Sequence, residues 1–163
     1  MGRSSPLALA IVAALGAAPA CAAEWRVAEI AAAGITFIDV SATKRTDETV
    51  TFSTWTVRTS KAPNGIDNWK ASSTANCASK VYRDLKIDYF AGKTFVEKDE
   101  AEPERTAVPD TMAFSKIAVA CGTQKVSGEA VADPYEMAQD YGRRTRDSVI
   151  IDDAEPVETD PPV

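Results

Sequence analysis

The residues from Val50 to Arg58 read Val-Thr-Phe-Ser-Thr-Trp-Thr-Val-Arg, almost wholly β-branched or aromatic. Side chains of this kind lose rotamer freedom in a helix and pack well on a pleated surface, so the run commits the chain to a sheet. Its flanks agree. Lys44-Arg45-Thr46-Asp47-Glu48 is a polar turn before it, and Lys61-Ala62-Pro63-Asn64-Gly65 is a loop after it, where Asn-Gly supplies positive φ cheaply.

Strand character extends to both sides. Trp25 to Ile30 and Ile35 to Asp39, separated by small residues and Gly34, read as a hairpin. Trp69 to Cys77 is a weaker strand. From Lys80 to Phe90, Val81, Leu85, Ile87 and Tyr89 fall on one face and Asp84, Lys86 and Asp88 on the other, with only Arg83 breaking the alternation. Ala91-Gly92-Lys93 turns the chain into Thr94-Phe95-Val96, and Glu97 to Arg105 reads as a charged, exposed loop. These runs total about six strands.

Helix periodicity follows. Asp110 or Thr111 can cap a helix from Met112 to Cys121, and Gly122 suits its left-handed end. Phe114, Ile117 and Cys121 share one stripe, which turns the cysteine toward the core. Asp133-Pro134 starts a second, short helix through Tyr135, Met137, Ala138 and Tyr141, with Gly142 ending it. The fold class is therefore α+β, a mainly antiparallel sheet with a C-terminal helix packed on it.

The N-terminus carries an export pattern. Arg3 precedes an apolar run from Leu7 to Ala18, and Ala18-Pro19-Ala20-Cys21-Ala22-Ala23 is a small-residue cleavage region, which makes 1–23 a signal peptide. The apolar run falls well short of the roughly twenty residues a membrane-spanning helix needs, so no transmembrane span is expected. Cleavage removes Cys21, unless Cys21 is the lipid-bearing first residue of the mature chain. It leaves Cys77 and Cys121, and an even pair in an exported chain normally closes a disulfide. A bridge between them, about 44 residues apart, is worth about 4 kcal/mol in the chain-entropy model. The alternatives are two free thiols, or a metal site on two cysteines in a chain that has no histidine to complete it.

Composition narrows the function. With 24 acidic and 18 basic residues, a net charge of -6, the chain lacks the basic footprint that nucleic acid or anionic lipid requires. The absence of histidine removes the commonest general base and any Ser-His-Asp or Cys-His arrangement. Asp39, at a strand end, reads as a turn former, and no catalytic residue is assigned. No glycine loop of the phosphate-cradling kind is present, and Asp152, Asp153 and Glu155 lack calcium-loop spacing, so no cofactor or metal is expected. Arg143, Arg144 and Arg146 form the one dense basic cluster, read as a solvated helix end placed to pair with the acidic stretch from Ile151 to Val163. That stretch has the composition of a disordered tail. Trp25, Trp55, Trp69, Tyr82 and Tyr89 read mainly as core, and Trp69, beside the Asn64-Gly65 loop, is the candidate for an exposed binding residue.

Four segments in order resemble the surface-adhesin protein E-like family, small exported bacterial proteins. They are the Trp25-containing strand, the Phe37-Ile38-Asp39 strand end, the run Asn76-Cys77-Ala78 leading to Tyr82, and the Pro109-Asp110-Thr111 helix ending on Cys121-Gly122. The resemblance covers about residues 24 to 125, with 126–150 as a short helical extension and 151–163 as the tail. It implies an antiparallel sheet of about six strands tied to a C-terminal helix by a Cys77–Cys121 bridge, the pair the residues also single out. It further implies a non-enzymatic, adhesin-like protein, periplasmic or surface-displayed, that binds an extracellular or envelope protein. The competing expectations are a structural periplasmic module without a dedicated ligand and a carboxylate-based enzyme. Nothing in the sequence sets an oligomeric state.

Overall fold

The computed structural model describes residues 22–60 and 62–152. All but the last two residues of the expected signal, and the tail from residue 153, lie outside them. Among the described residues eight strands, β1 (Trp25–Ala31), β2 (Gly34–Thr46), β3 (Thr49–Arg58), β4 (Asn68–Asn76), β5 (Val81–Ala91), β6 (Thr94–Glu100), β7 (Arg105–Thr106) and β8 (Ser127–Val131), form one sheet. The same residues hold two helices, α1 (Met112–Ala120) and α2 (Pro134–Asp152). The strand order is β6-β5-β4-β3-β2-β1-β8, with β7 beside β5 and every pairing antiparallel. The α+β class is as expected, while the strand count rises from six to eight. β7 has two residues and β8 five, too short for a periodic signal. The expected loop from Glu97 is instead the second half of β6, an edge strand exposed on both faces, where charged residues replace alternation.

Each face of the sheet carries one helix. Val50 and Phe52 of β3 point to the α1 side with Ile38, Ala75 and Tyr82, where they pack on Ile117 and Cys121. Ile35, Phe37 and Val57 point the other way, onto Ala138 of α2, with Trp25, Trp55 and Tyr135 around them. Phe37, Ile35, Val57 and Ile117 are fully buried, and each contributes roughly 1.5–3 kcal/mol.

Two irregularities set the site's geometry. Asp39 is the expected turn former: its Oδ1 accepts from the amides of Ser41 and Ala42, the Ser41 hydroxyl and the Glu24 amide. The β2 backbone loops out there, pairing Asp39 with Ser53 and then Lys44 with Thr51. In β5 the register slips, pairing Ser72 with Lys86 but Ser73 with Asp84, so Leu85 is a bulge. This corrects the alternation read from the sequence. Asp84 turns to the α1 side with Tyr82 and is buried, accepting from Ser73, Lys116 at 3.3 Å and Arg105 at 3.1 Å.

The Thr111 hydroxyl caps α1 by accepting from the Phe114 amide, and Gly122 (φ 72°) takes the left-handed position after it. The disulfide Cys77–Cys121 fastens the end of β4 to the end of α1. Gly142 does not end α2, which runs ten residues further to Asp152. It lies where the helix touches the chain after β3, and a Cβ there would stand 2.7 Å from the Thr59 carbonyl oxygen. The arginines after it are on the solvent side, Arg143 and Arg144 paired with Asp140 and Arg146 donating to Thr59 O.

Two outcomes follow. Replacing Cys77 and Cys121 by serine costs about 2–4 kcal/mol in urea unfolding, and the parent chain gains two hydrogens in mass on reduction. A solvent-facing Gly142→Ala gains about 1 kcal/mol of helix propensity. Here the contact with Thr59 reverses the sign, so the variant unfolds about 1–3 kcal/mol earlier, while Arg143→Ala stays within about 0.5 kcal/mol.

Candidate functional site

The α2 side of the sheet is only half covered. Pairing across the strands places Trp25, Asp39, Ser53, Ser72, Lys86 and Glu100 in one row on this face. A second row, toward α2, is Phe37, Trp55, Lys70, Asp88 and Lys98. A third, away from α2, is Lys44, Thr51, Thr74 and Arg83. Thr49, opposite Asn76, lies beyond it.

Helix α2 covers the apolar end through Ala138 and through hydrogen bonds from Gln139 to Arg58 O and from Tyr135 to Asp67. The other end is open. Lys44, Thr49, Thr51, Ser72, Arg83 and Lys86 are exposed there. The short side chains of Ser53 and Ser72 leave a trough between taller neighbours, a cavity of about 240 Å³ walled by Trp25, Lys70, Lys86 and Asp88. A second cavity of about 210 Å³ opens on the far side of Lys70, between Trp55, Phe90 and Lys93.

Lys70 joins the two. Its ammonium sits 3.8 Å from the centroid of the Trp55 ring and 5.6 Å from that of Phe90. Trp55 is held on both sides, by an edge contact from Trp25 with centroids 5.7 Å apart and by donation to Asn68 Oδ1 at 2.9 Å. Asn68 is buried and donates to Asp67 Oδ1 and Gly92 O, so the platform is rigid. Burial holds the Lys70 ammonium below its ordinary value, and the charges of Asp133 and Asp88 push it part of the way back.

Charge pairing on the face is lopsided. Asp88 binds Lys86 at 2.7 Å, Glu100 binds Lys98 at 2.7 Å, Asp133 binds Lys93 at 3.0 Å, and Asp39 is held by amides. Among the described residues, the side-chain nitrogens of Lys44, Lys70 and Arg83 have neither a hydrogen-bond acceptor nor an ion-pair partner. Glu104 lines the cavity beside Arg83 at the far rim and is likewise outside any ion pair. The face thus presents donors: two primary ammonium groups, one guanidinium and a grid of hydroxyls.

Trp69, the binding candidate of the sequence, lies elsewhere. It points to the α1 side, half-buried, opposite Thr56 and Tyr89. Tyr82 is buried there, with Arg105 and Lys116 each 5.1 Å from its ring, and the Tyr89 hydroxyl is pushed up to about 12 by burial and by its bond to Asp99. Cys77 and Cys121 meet as the bridge, away from the trough. Lys70 carries no mark of its own in the sequence. Alternation through Thr51, Ser53 and Trp55 and through Lys70, Ser72 and Thr74 was the signal that grouped them. Lys44 and Arg83 join them only through register.

No protein-family model matches this chain, and no curated protein matches it. Among solved structures the chain is similar to Haemophilus influenzae protein E in its crystal form II, at 14% identity and a TM-score of 0.41, over 59% of this chain and 92% of that one. The overlap is slight, and the face described above owes nothing to it. No helix among the described residues is long and apolar enough to cross a membrane.

The Lys70–Trp55 contact is open to a direct check. Burial lowers Lys70 from its ordinary value and raises Tyr82, Tyr89 and Tyr135 from theirs, so the lysine is shifted in the opposite direction from these tyrosines. Tryptophan emission therefore changes in a step below pH 10.5, and Lys70→Met removes the step. Superimposable titrations of the two proteins would refute the contact.

Proposed function

We propose that this chain is a non-enzymatic, adhesin-like binding module that works outside the cytoplasm, in the periplasm or on the cell surface. It engages a macromolecule of the envelope or extracellular space through the open half of the sheet. The observation that carries this reading is the set of three unpaired cations, Lys44, Lys70 and Arg83, gathered on one face of a chain whose net charge is -6. On this face Asp88 and Glu100 are already engaged by Lys86 and Lys98, and one of the three cations, Lys70, stands over a tryptophan, a residue of the kind that dominates binding hot spots.

Export is supported by the Leu7–Ala18 pattern and by a disulfide, which forms and persists in oxidising compartments. The non-enzymatic reading is supported by the buried carboxylates. Asp84 is tied to Lys116 and Arg105, and Asp39 to the backbone of its own turn, so both hold structure together.

The test is saturable binding of the purified mature chain to isolated cell-envelope fractions and to immobilised extracellular-matrix proteins. Binding in the micromolar range or tighter is expected, weakened at least about tenfold by the charge reversals Lys44→Glu and Arg83→Glu together. Both positions are exposed, so the double variant keeps the parent's unfolding midpoint. Absence of saturable binding, or binding indifferent to the reversals, overturns the proposal and leaves a structural module.

A further inference from the structure

We infer that the ligand of this face is an acidic glycan, a linear saccharide bearing carboxylates that lies along the trough. The inference deepens the proposal above and rests on it. Three features of the face converge on that chemistry.

The first is the hydroxyl grid. Thr49, Thr51 and Ser53 on β3 stand beside Ser72 and Thr74 on β4, all on one side of the sheet. Successive members along a strand are roughly 6.6 Å apart, and neighbours across strands roughly 4.8 Å. A hydroxyl both donates and accepts, so this surface matches a ligand that is itself a row of hydroxyls. A peptide strand would need an open sheet edge or apolar pockets, and the grid offers neither.

The second is the wall. Trp25 stands at one end of the Ser53–Ser72 trough, where its ring can lie against the apolar face of a sugar. The opposite wall is Lys70, Lys86 and Asp88, which supply polar partners of both signs. A pyranose needs that combination of one apolar face and a polar rim.

The third is the charge spacing. Lys44 and Arg83 end one row three strands apart, about 14 Å, and Lys70 lies toward α2 between them. These cations are sparse. Duplex DNA presents a charge about every 1.7 Å and calls for a dense basic stripe, which this acidic chain lacks. A membrane surface calls for exposed apolar anchors, and the exposed large hydrophobics Ile30, Phe95, Val96, Val108 and Tyr141 all lie off this half of the face. Carboxylates spaced one per sugar ring or per pair of rings fit wide separation, each with one ammonium or one bidentate guanidinium.

The experiment is calorimetric titration of the mature chain with uronate oligosaccharides of three stereochemistries: galacturonate, mannuronate and glucuronate-containing hyaluronan. The same oligosaccharides after reduction of their carboxyls, poly-L-glutamate, duplex DNA and phosphatidylglycerol vesicles serve as comparison probes. At least one uronate is expected to saturate the protein, with at least tenfold weaker binding of its carboxyl-reduced form and of poly-L-glutamate. Lys70→Met and Arg83→Ala each weaken it several-fold. Ser72→Val, which removes a hydroxyl from a strand position that favours a β-branched residue, also weakens it without lowering the unfolding midpoint.

Equal affinity for poly-L-glutamate, DNA or vesicles overturns the glycan assignment, because the face then reads charge alone. Silence toward all three uronates, with envelope binding still abolished by Lys44→Glu and Arg83→Glu, also overturns it and leaves the broader proposal standing. Loss of both kinds of binding overturns the two together.

Discussion

The alternation of side chains along β3 is the constraint on which the rest of the molecule depends. This strand is central, with three strands to either side, so both faces of the sheet inherit its pattern. Toward α1 it presents Val50, Phe52, Thr54 and Thr56. Toward α2 it presents Thr49, Thr51, Ser53, Trp55 and Val57, which grade from hydroxylic to apolar along the strand. A helix gains by covering the apolar end, where Val57 meets Phe37 and Ala138, and gains little by covering threonines that water already satisfies. The buried Thr36 and Thr56 on the other face show the contrasting requirement: their hydroxyls lie 3.1 Å apart and satisfy one another. One strand's grading thus places α2 and, by the same step, leaves a polar half-face open.

What sequence reasoning could reach follows from that logic. β3, the β1–β2 hairpin, α1 with its Thr111 cap and Gly122 end, and the Cys77–Cys121 pair are local patterns, and local patterns survive folding. The misses are non-local. Leu85 carries no mark of a bulge, because the slip is imposed by pairing with Ser72 and Ser73. Gly142 has the look of a helix stop until the Thr59 carbonyl is set against it. β8 is defined by its partner β1 far more than by its own five residues.

The site was harder to read for the same reason. Its residues come from β1, β2, β3, β4 and β5, and no two of the unpaired cations are neighbours in sequence. Trp69 stands next to a loop, yet strand parity puts it on the opposite face from Trp55, fourteen residues earlier. Parity was available in the sequence. What was missing was the register of β3 against β4 and the length of the Asp39 excursion, which decides that Lys44 rather than Thr43 or Arg45 stands opposite Thr51.

The two faces handle charge in opposite ways, and the contrast bears on why Lys70 is there. On the α1 side the buried Asp84 has Lys116 and Arg105 at hand, so α1 is fixed at one point by an ion pair and at another by the disulfide. Deleting both cations would leave a buried charge uncompensated, which makes the cluster structural. Lys70 reverses that arrangement. Its ammonium is partly buried, its charge is disfavoured by that burial, and the carboxylates that feel it, Asp88 and Asp133, are bound to Lys86 and Lys93. The Trp55 ring offsets some of the penalty, roughly 0.5–2 kcal/mol for a cation over an indole. A methionine would cover the same ring with no charge to desolvate. Under the proposed binding role, a cation held where the fold gains little from its charge is one that an incoming anion would stabilise.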